Sequence, residues 1–100
     1  MTGLTESLSR FAANPGWRDI PEPAAGIART GFIDTVATMI AGRNEPVVRI
    51  VRQFVAARKS AAREARILLG AEMAWSADAA MINATAGHAL DYDDVAIGGH

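Results

Sequence analysis

The chain of 100 residues contains no cysteine. Disulfide frameworks, thiolate metal sites and thiol nucleophiles are therefore excluded together. Aromatic residues make up only 6% of the chain. That is few for a β-sandwich, whose strands alternate aromatic and β-branched side chains, and the plentiful alanine points instead to close-packed helices. No apolar window approaches the roughly 18 residues needed to cross a bilayer. "MTGLTESLSRF" carries an acidic residue and no basic run before its first apolar positions, which is not the pattern of a secretory leader. A soluble, cytoplasmic protein with no membrane partner is expected. Net charge is also small, −1 at neutral pH, and the last base is Arg66; from Glu72 onward there are five acids and no Lys or Arg. What the chain does have is 50% apolar residues, enough to fold and bury a core, in a length that allows one domain or part of one.

Hydrophobic spacing predicts helices. The first runs over about residues 2–13, with Leu4, Leu8 and Phe11 on one stripe, and Asn14, Pro15 and Gly16 end it. "WRDIPEPAAG" reads as an extended connector because Pro21 and Pro23 restrict the backbone before them, with Trp17 as an anchor for it. A second helix starts near Pro23 and ends at Gly42, a natural residue to follow a helix. Ile33, Val36, Ala37 and Ile40 form its stripe, and Phe32 and Met39 widen it so far that burial on most sides is expected. The third helix places Val47, Ile50, Val51, Phe54 and Val55 inward and leaves Arg49, Arg52, Gln53 and Arg58 wet. "ARILLG" allows either a helix or a short extended piece. Ser76, as N-cap, and Asp78 in the first turn open a fourth helix to about Leu90, with Met81, Ile82 and Ala86 inward.

Both histidines and three aspartates fall within "GHALDYDDVAIGGH", residues 87–100. Aspartates following a helix oppose its macrodipole, so stability does not account for them, although they could be solvated loop residues or could cap a further helix. Three chemistries compete. A calcium loop needs ligands at positions 1, 3 and 5 and glycine at 6; Asp91 and Asp93 fit, while Val95 and Ala96 break the pattern. A transition-metal site could draw on His88, Asp91 and His100, with the first two at helical spacing. Acid/base chemistry needs a histidine that titrates near neutrality and a carboxylate to orient it.

"AAMINATAGHALDYDDVAIGGH", residues 79–100, resembles the signature region of the MmgE/PrpD family, which includes 2-methylcitrate dehydratase, cis-aconitate decarboxylase and iminodisuccinate epimerase. "GFIDTVATMIAGRNEP" is similar to that family's opening helix and the loop after it. The resemblance covers most of the chain from about residue 24. It implies an all-α fold: residues 1–100 as the N-terminal portion of a larger helical domain, with about four helices, and "ARILLG" as one short extended segment. Family enzymes are several times longer than this chain and usually continue past the equivalent of His100. They act without metal or organic cofactor, moving a proton at a carbon beside a carboxylate, with dehydration, decarboxylation or epimerisation of small di- or tricarboxylates. A homodimer is the implied assembly.

The resemblance places Asp91 and His100 in the active site as catalytic residues, with His88 and Asp94 as substrate-binding candidates beside them. Val95 stands where dehydratase-like and decarboxylase-like members often carry threonine, and the interval to His100 is one residue shorter than in the decarboxylases. Both features look closer to the epimerase-like branch. Asn83 matches a family asparagine and is expected to be structural; Ala84 replaces the glycine that commonly follows. A lysine and a further histidine used by the family have no counterpart here, so the chain alone is expected to be inactive. From another class, it could be a non-catalytic helical interaction module. Six bases within residues 49–66 raise nucleic-acid binding, but those on the third helix take its solvated side, no aromatic is interleaved beyond Phe54 on the core face, and net charge is near zero, so no nucleic-acid partner is expected.

Overall fold

A computed structural model describes residues 3–68 and 70–92. The all-α expectation holds: four helices, α1 (Leu4–Ala13), α2 (Glu22–Gly42), α3 (Pro46–Ala57) and α4 (Ser76–His88), accompany one minimal antiparallel pair, β1 (Ala65–Arg66) with β2 (Met73–Ala74). Within "ARILLG", Ala65 and Arg66 are the extended residues. Two compact units divide the chain, Met1–Gly31 and Phe32–His100, and the boundary falls inside α2.

In the first unit none of the residues of α1 is buried. Leu4, Leu8 and Phe11 form the expected stripe, and it faces solvent. The connector is tighter than expected. Trp17–Asp19 make one 3-10 turn, closed by the Gly16 N–H donating to Asp19 Oδ2 at 2.8 Å and the Asp19 N–H donating to the Gly16 carbonyl at 2.9 Å. Trp17 remains exposed, and the guanidinium of Arg29 on α2 sits 5.9 Å from its ring centroid, a geometry in which the ring face attracts the cation.

The core lies in the second unit. Val48 of α3, Ile67 after β1, and Ala79, Ile82 and Ala86 of α4 are buried together, and Met39, Val51, Val55, Ala65 and Ala74 pack around them. Val48 and Ile82 are the largest wholly enclosed side chains, at 0% and 1% exposure. This corrects the reading of α3. Its inward stripe is Val48, Val51 and Val55, while Val47, Ile50 and Phe54 form a second apolar stripe that is exposed. α2 is corrected too: it is apolar nearly all round but not buried on most sides, with Phe32 at 74% and Ile33 at 70% exposure.

α3 ends where Lys59 turns into the left-handed region, φ 49°, its N–H donating to the Ala56 carbonyl. Ser76 is not the N-cap of α4: Trp75 holds that position, and Ser76, as first helical residue, donates from both N–H and Oγ to Glu64 Oε2 at 3.0 and 2.9 Å. A side chain just before β1 thus satisfies a donor at the start of α4 that the helix leaves without an internal partner.

Gly42 has a different purpose from the one its position in sequence implied. It is the last residue of α2 rather than a left-handed residue after it. A Cβ there would collide with the carbonyl oxygen of Ala86 and lie 3.1 Å from its carbon and 3.3 Å from Ala89 Cβ. Glycine therefore allows α2 to touch the backbone of α4. Gly42→Ala is expected to destabilise the protein by about 1–3 kcal/mol through overpacking against an unyielding backbone, despite alanine's better helix propensity. Gly26→Ala, at a position in α2 with open space around it, should instead stabilise by about 0.5–1 kcal/mol. Urea unfolding of the two variants checks the opposite signs.

Candidate functional site

The C-terminal end of α4 carries the residues singled out for chemistry, and α4 is held along its whole length. Near its start Asp78, 3% exposed, forms an ion pair with Arg58 at the end of α3. The Arg58 guanidinium also lies 5.0 Å from the Phe54 ring centroid. A carboxylate taken out of water is stable only when paired and hydrogen-bonded, so this pair fixes how α4 begins against α3. In mid-helix Asn83 accepts the Leu68 N–H at 3.0 Å on Oδ1 and donates from Nδ2 to the Arg66 carbonyl at 3.2 Å. Both polar ends of its amide are engaged with the chain leaving β1, the structural role expected for it. Farther on, Gly87 lies beside Thr38 and Met39 of α2, and Ala86 meets Gly42.

His88 is the final residue of α4 and is exposed. Ala89 closes the helix in the right-handed region, and Asp91 then enters the left-handed region at φ 55°, its N–H donating to the His88 carbonyl at 3.0 Å. His88 and Asp91 are therefore joined by one turn of backbone, not stacked on one helical face, because the helix stops between them. Asp91 and Tyr92 are exposed. Asp94 and His100 lie outside the described residues, as do Asp93, Val95 and Ala96. Among the described residues, no group of three or more His, Asp or Glu is arranged to hold a metal ion.

The position of Asp91 is unfavourable for stability in two ways. Left-handed backbone costs a residue with a Cβ, though aspartate tolerates it better than most, and a carboxylate beyond a helix C-terminus faces the negative end of the macrodipole. Residues kept in such conformations concentrate at functional sites. What the arrangement can do chemically is present an exposed carboxylate, and one turn before it an imidazole, at the end of a helix fixed by its other contacts.

Sequence reasoning missed two features. Arg58 reads as a wet-face residue and Asp78 as a first-turn acid, and nothing local links residues 20 positions apart. Nor did it collect the arginines that line an open cleft of about 720 Å³ beside the hairpin, where Arg43, Arg49 and Arg52 gather. A second cleft of about 310 Å³, bounded by Val55, Lys59, Trp75, Asp78 and Ile82 among others, lies between α3, the hairpin and the start of α4.

Among the described residues, no helix is long and apolar enough to cross a membrane. The family model for the MmgE/PrpD N-terminal domain matches residues 6–98. No curated protein and no solved structure matches the chain.

Asp91→Gly is expected to be more stable than Asp91→Ala by about 1 kcal/mol, because only glycine enters the left-handed region freely. Thermal unfolding of the two variants measures this, and equal melting temperatures would count against the turn.

Proposed function

Because the chain belongs to the MmgE/PrpD family, we propose that it forms the N-terminal part of the helical domain of a cofactor-independent enzyme that moves a proton at a carbon beside a carboxylate. The substrate is a small di- or tricarboxylate, and the outcome is dehydration, decarboxylation or epimerisation. Asp91 is the catalytic carboxylate, placed in the turn just beyond α4, acting with His100, and His88 and Asp94 contact the substrate. The observation that carries this reading is Asp91 itself, an exposed carboxylate in left-handed backbone at the end of a helix anchored by Asp78, Asn83 and the Gly42 contact. The enzyme is a homodimer in the cytoplasm.

The proton chemistry has a plain physical basis. A carbon–hydrogen bond beside a carboxylate is weakly acidic, so a base must lie within hydrogen-bond reach of it, and the charge that develops must meet fixed donors. Asp91 accepts or positions a proton, and a histidine imidazole is a group able to deliver one. The apolar stripes of α1, of α2 at Ile27, Phe32 and Ile33, and of α3 at Val47, Ile50 and Phe54 are too extensive to be scattered surface residues. They support a reading in which further polypeptide covers these faces and supplies the opposite wall of the pocket.

The same bare faces would suit a non-catalytic helical interaction module, and two measurements separate the readings. The purified 100 residues should not turn over methylcitrate, cis-aconitate or iminodisuccinate, and should self-associate in sedimentation; a cooperative monomer would favour the module. In the complete enzyme Asp91→Asn should lower kcat by about 10²–10⁴-fold, the usual weight of a positioned acid or base, with an unchanged melting temperature. Full activity in that variant would remove Asp91 from the mechanism.

A further inference from the structure

The α2–α3 turn, the exposed side of α3 and the tip of the hairpin enclose the larger cleft. Arg43 and Asn44 come from the turn, Arg49 and Arg52 from α3 at i, i+3 spacing, and Gly70 and Glu72 from the hairpin. Its volume, about 720 Å³, falls in the range of roughly 300–1,000 Å³ usual for small-molecule sites. Glu72 is the one carboxylate among these residues, and it is already committed: its Oε2 accepts from Arg52 Nη1 at 2.5 Å. Among the described residues Arg43 and Arg49 have no carboxylate partner. Three guanidinium groups against one carboxylate leave the cleft two formal positive charges in excess.

Arginines spaced along an exposed helix face are ordinary. What distinguishes these is the hairpin opposite, which turns a face into a cleft and pins one of them. Arg52 is paired with Glu72, and Arg43 and Arg49 line the same space, the first from the α2–α3 turn and the second from one turn earlier on α3. A guanidinium presents a planar fork of donors that matches the two oxygens of a carboxylate or phosphate.

We infer that this cleft is a binding site for a small dianion, held between Arg43 and Arg49 and backed by the Arg52–Glu72 pair. Inorganic phosphate and a short dicarboxylate offer the same chemistry. Binding is read without turnover, so the outcome is independent of the reaction proposed for Asp91.

The test is an NMR titration of the 100-residue chain, at a concentration below that at which sedimentation shows it to self-associate and at fixed ionic strength, with sodium phosphate in one arm and succinate in the other, following the backbone amides of Arg43, Asn44 and Gly70. Saturable shifts at these amides are expected in at least one arm, and the arm that saturates identifies the anion. Arg43→Ala and Arg49→Ala should each weaken binding by about tenfold, the loss of one charge-assisted contact. Arg63→Ala removes the same charge outside the cleft and should leave affinity unchanged. Retained amide dispersion in each variant shows that it still folds. Shifts that never saturate in either arm, or equal weakening by Arg63→Ala and Arg49→Ala, would overturn the site.

Discussion

Gly42 and the carbonyl of Ala86 approach so closely that no side chain fits between them, and the placement of everything near the C-terminal end of α4 follows from that contact. A helix end is ordinarily the least constrained part of a helix. Here it is set against the last turn of α2 by backbone proximity, with Gly87 beside Thr38 and Met39. The opposite end is tied by the buried Asp78 carboxylate and Arg58, and the middle by Asn83 and the apolar contacts of Ile82. A group required within a few tenths of an ångström of a reacting atom is best carried by such a supported element. Ala86 and Gly87, small residues on the side of α4 that meets α2, make the close approach possible.

Most of the fold was legible because local rules decide most of it. α1 and α3 follow from 3.6-residue spacing, and the limits of α2 from the proline and glycine punctuation around it. Which face each helix buries was less legible, and α3 shows why. Val47, Ile50 and Phe54 make one apolar stripe and Val48, Val51 and Val55 another, so periodicity identifies a helix without choosing between them. The choice rests on Ile67, Ala79 and Ile82, which are distant in sequence. The bareness of α2 was illegible for the same reason: an apolar surface in a sequence shows only that something should cover it. Gly42 was mistaken because a glycine at a helix end usually supplies left-handed backbone, and only the neighbouring helix shows that space was the requirement.

At the candidate site the sequence carried the residue types and the helix that bears them. It could not show that α4 stops at His88, that Asp91 takes the left-handed turn, or that Arg58 reaches Asp78 across 20 positions. The extended segment at Ala65–Arg66 came from the resemblance and not from propensity, since two residues paired with Met73–Ala74 leave no periodic trace. The charge distribution reads differently once folded. The bases of the middle third look like the wet side of a helix in sequence, yet Arg58 is spent on a buried acid, Arg52 is held by Glu72, and Arg43 and Arg49 share a cleft. A chain whose last third has no base thus keeps cationic groups on the elements packed against it.

The Asp91 carboxylate stands in costly left-handed backbone at the end of a helix supported along its length. A crystal structure of the complete enzyme with an unreactive tricarboxylate bound tests its role most directly. The account predicts an Asp91 carboxylate oxygen within roughly 2.6–3.2 Å of the ligand, or of a proton-carrying group that touches it. A ligand bound elsewhere, with the Asp91 side chain directed into bulk water, would contradict it.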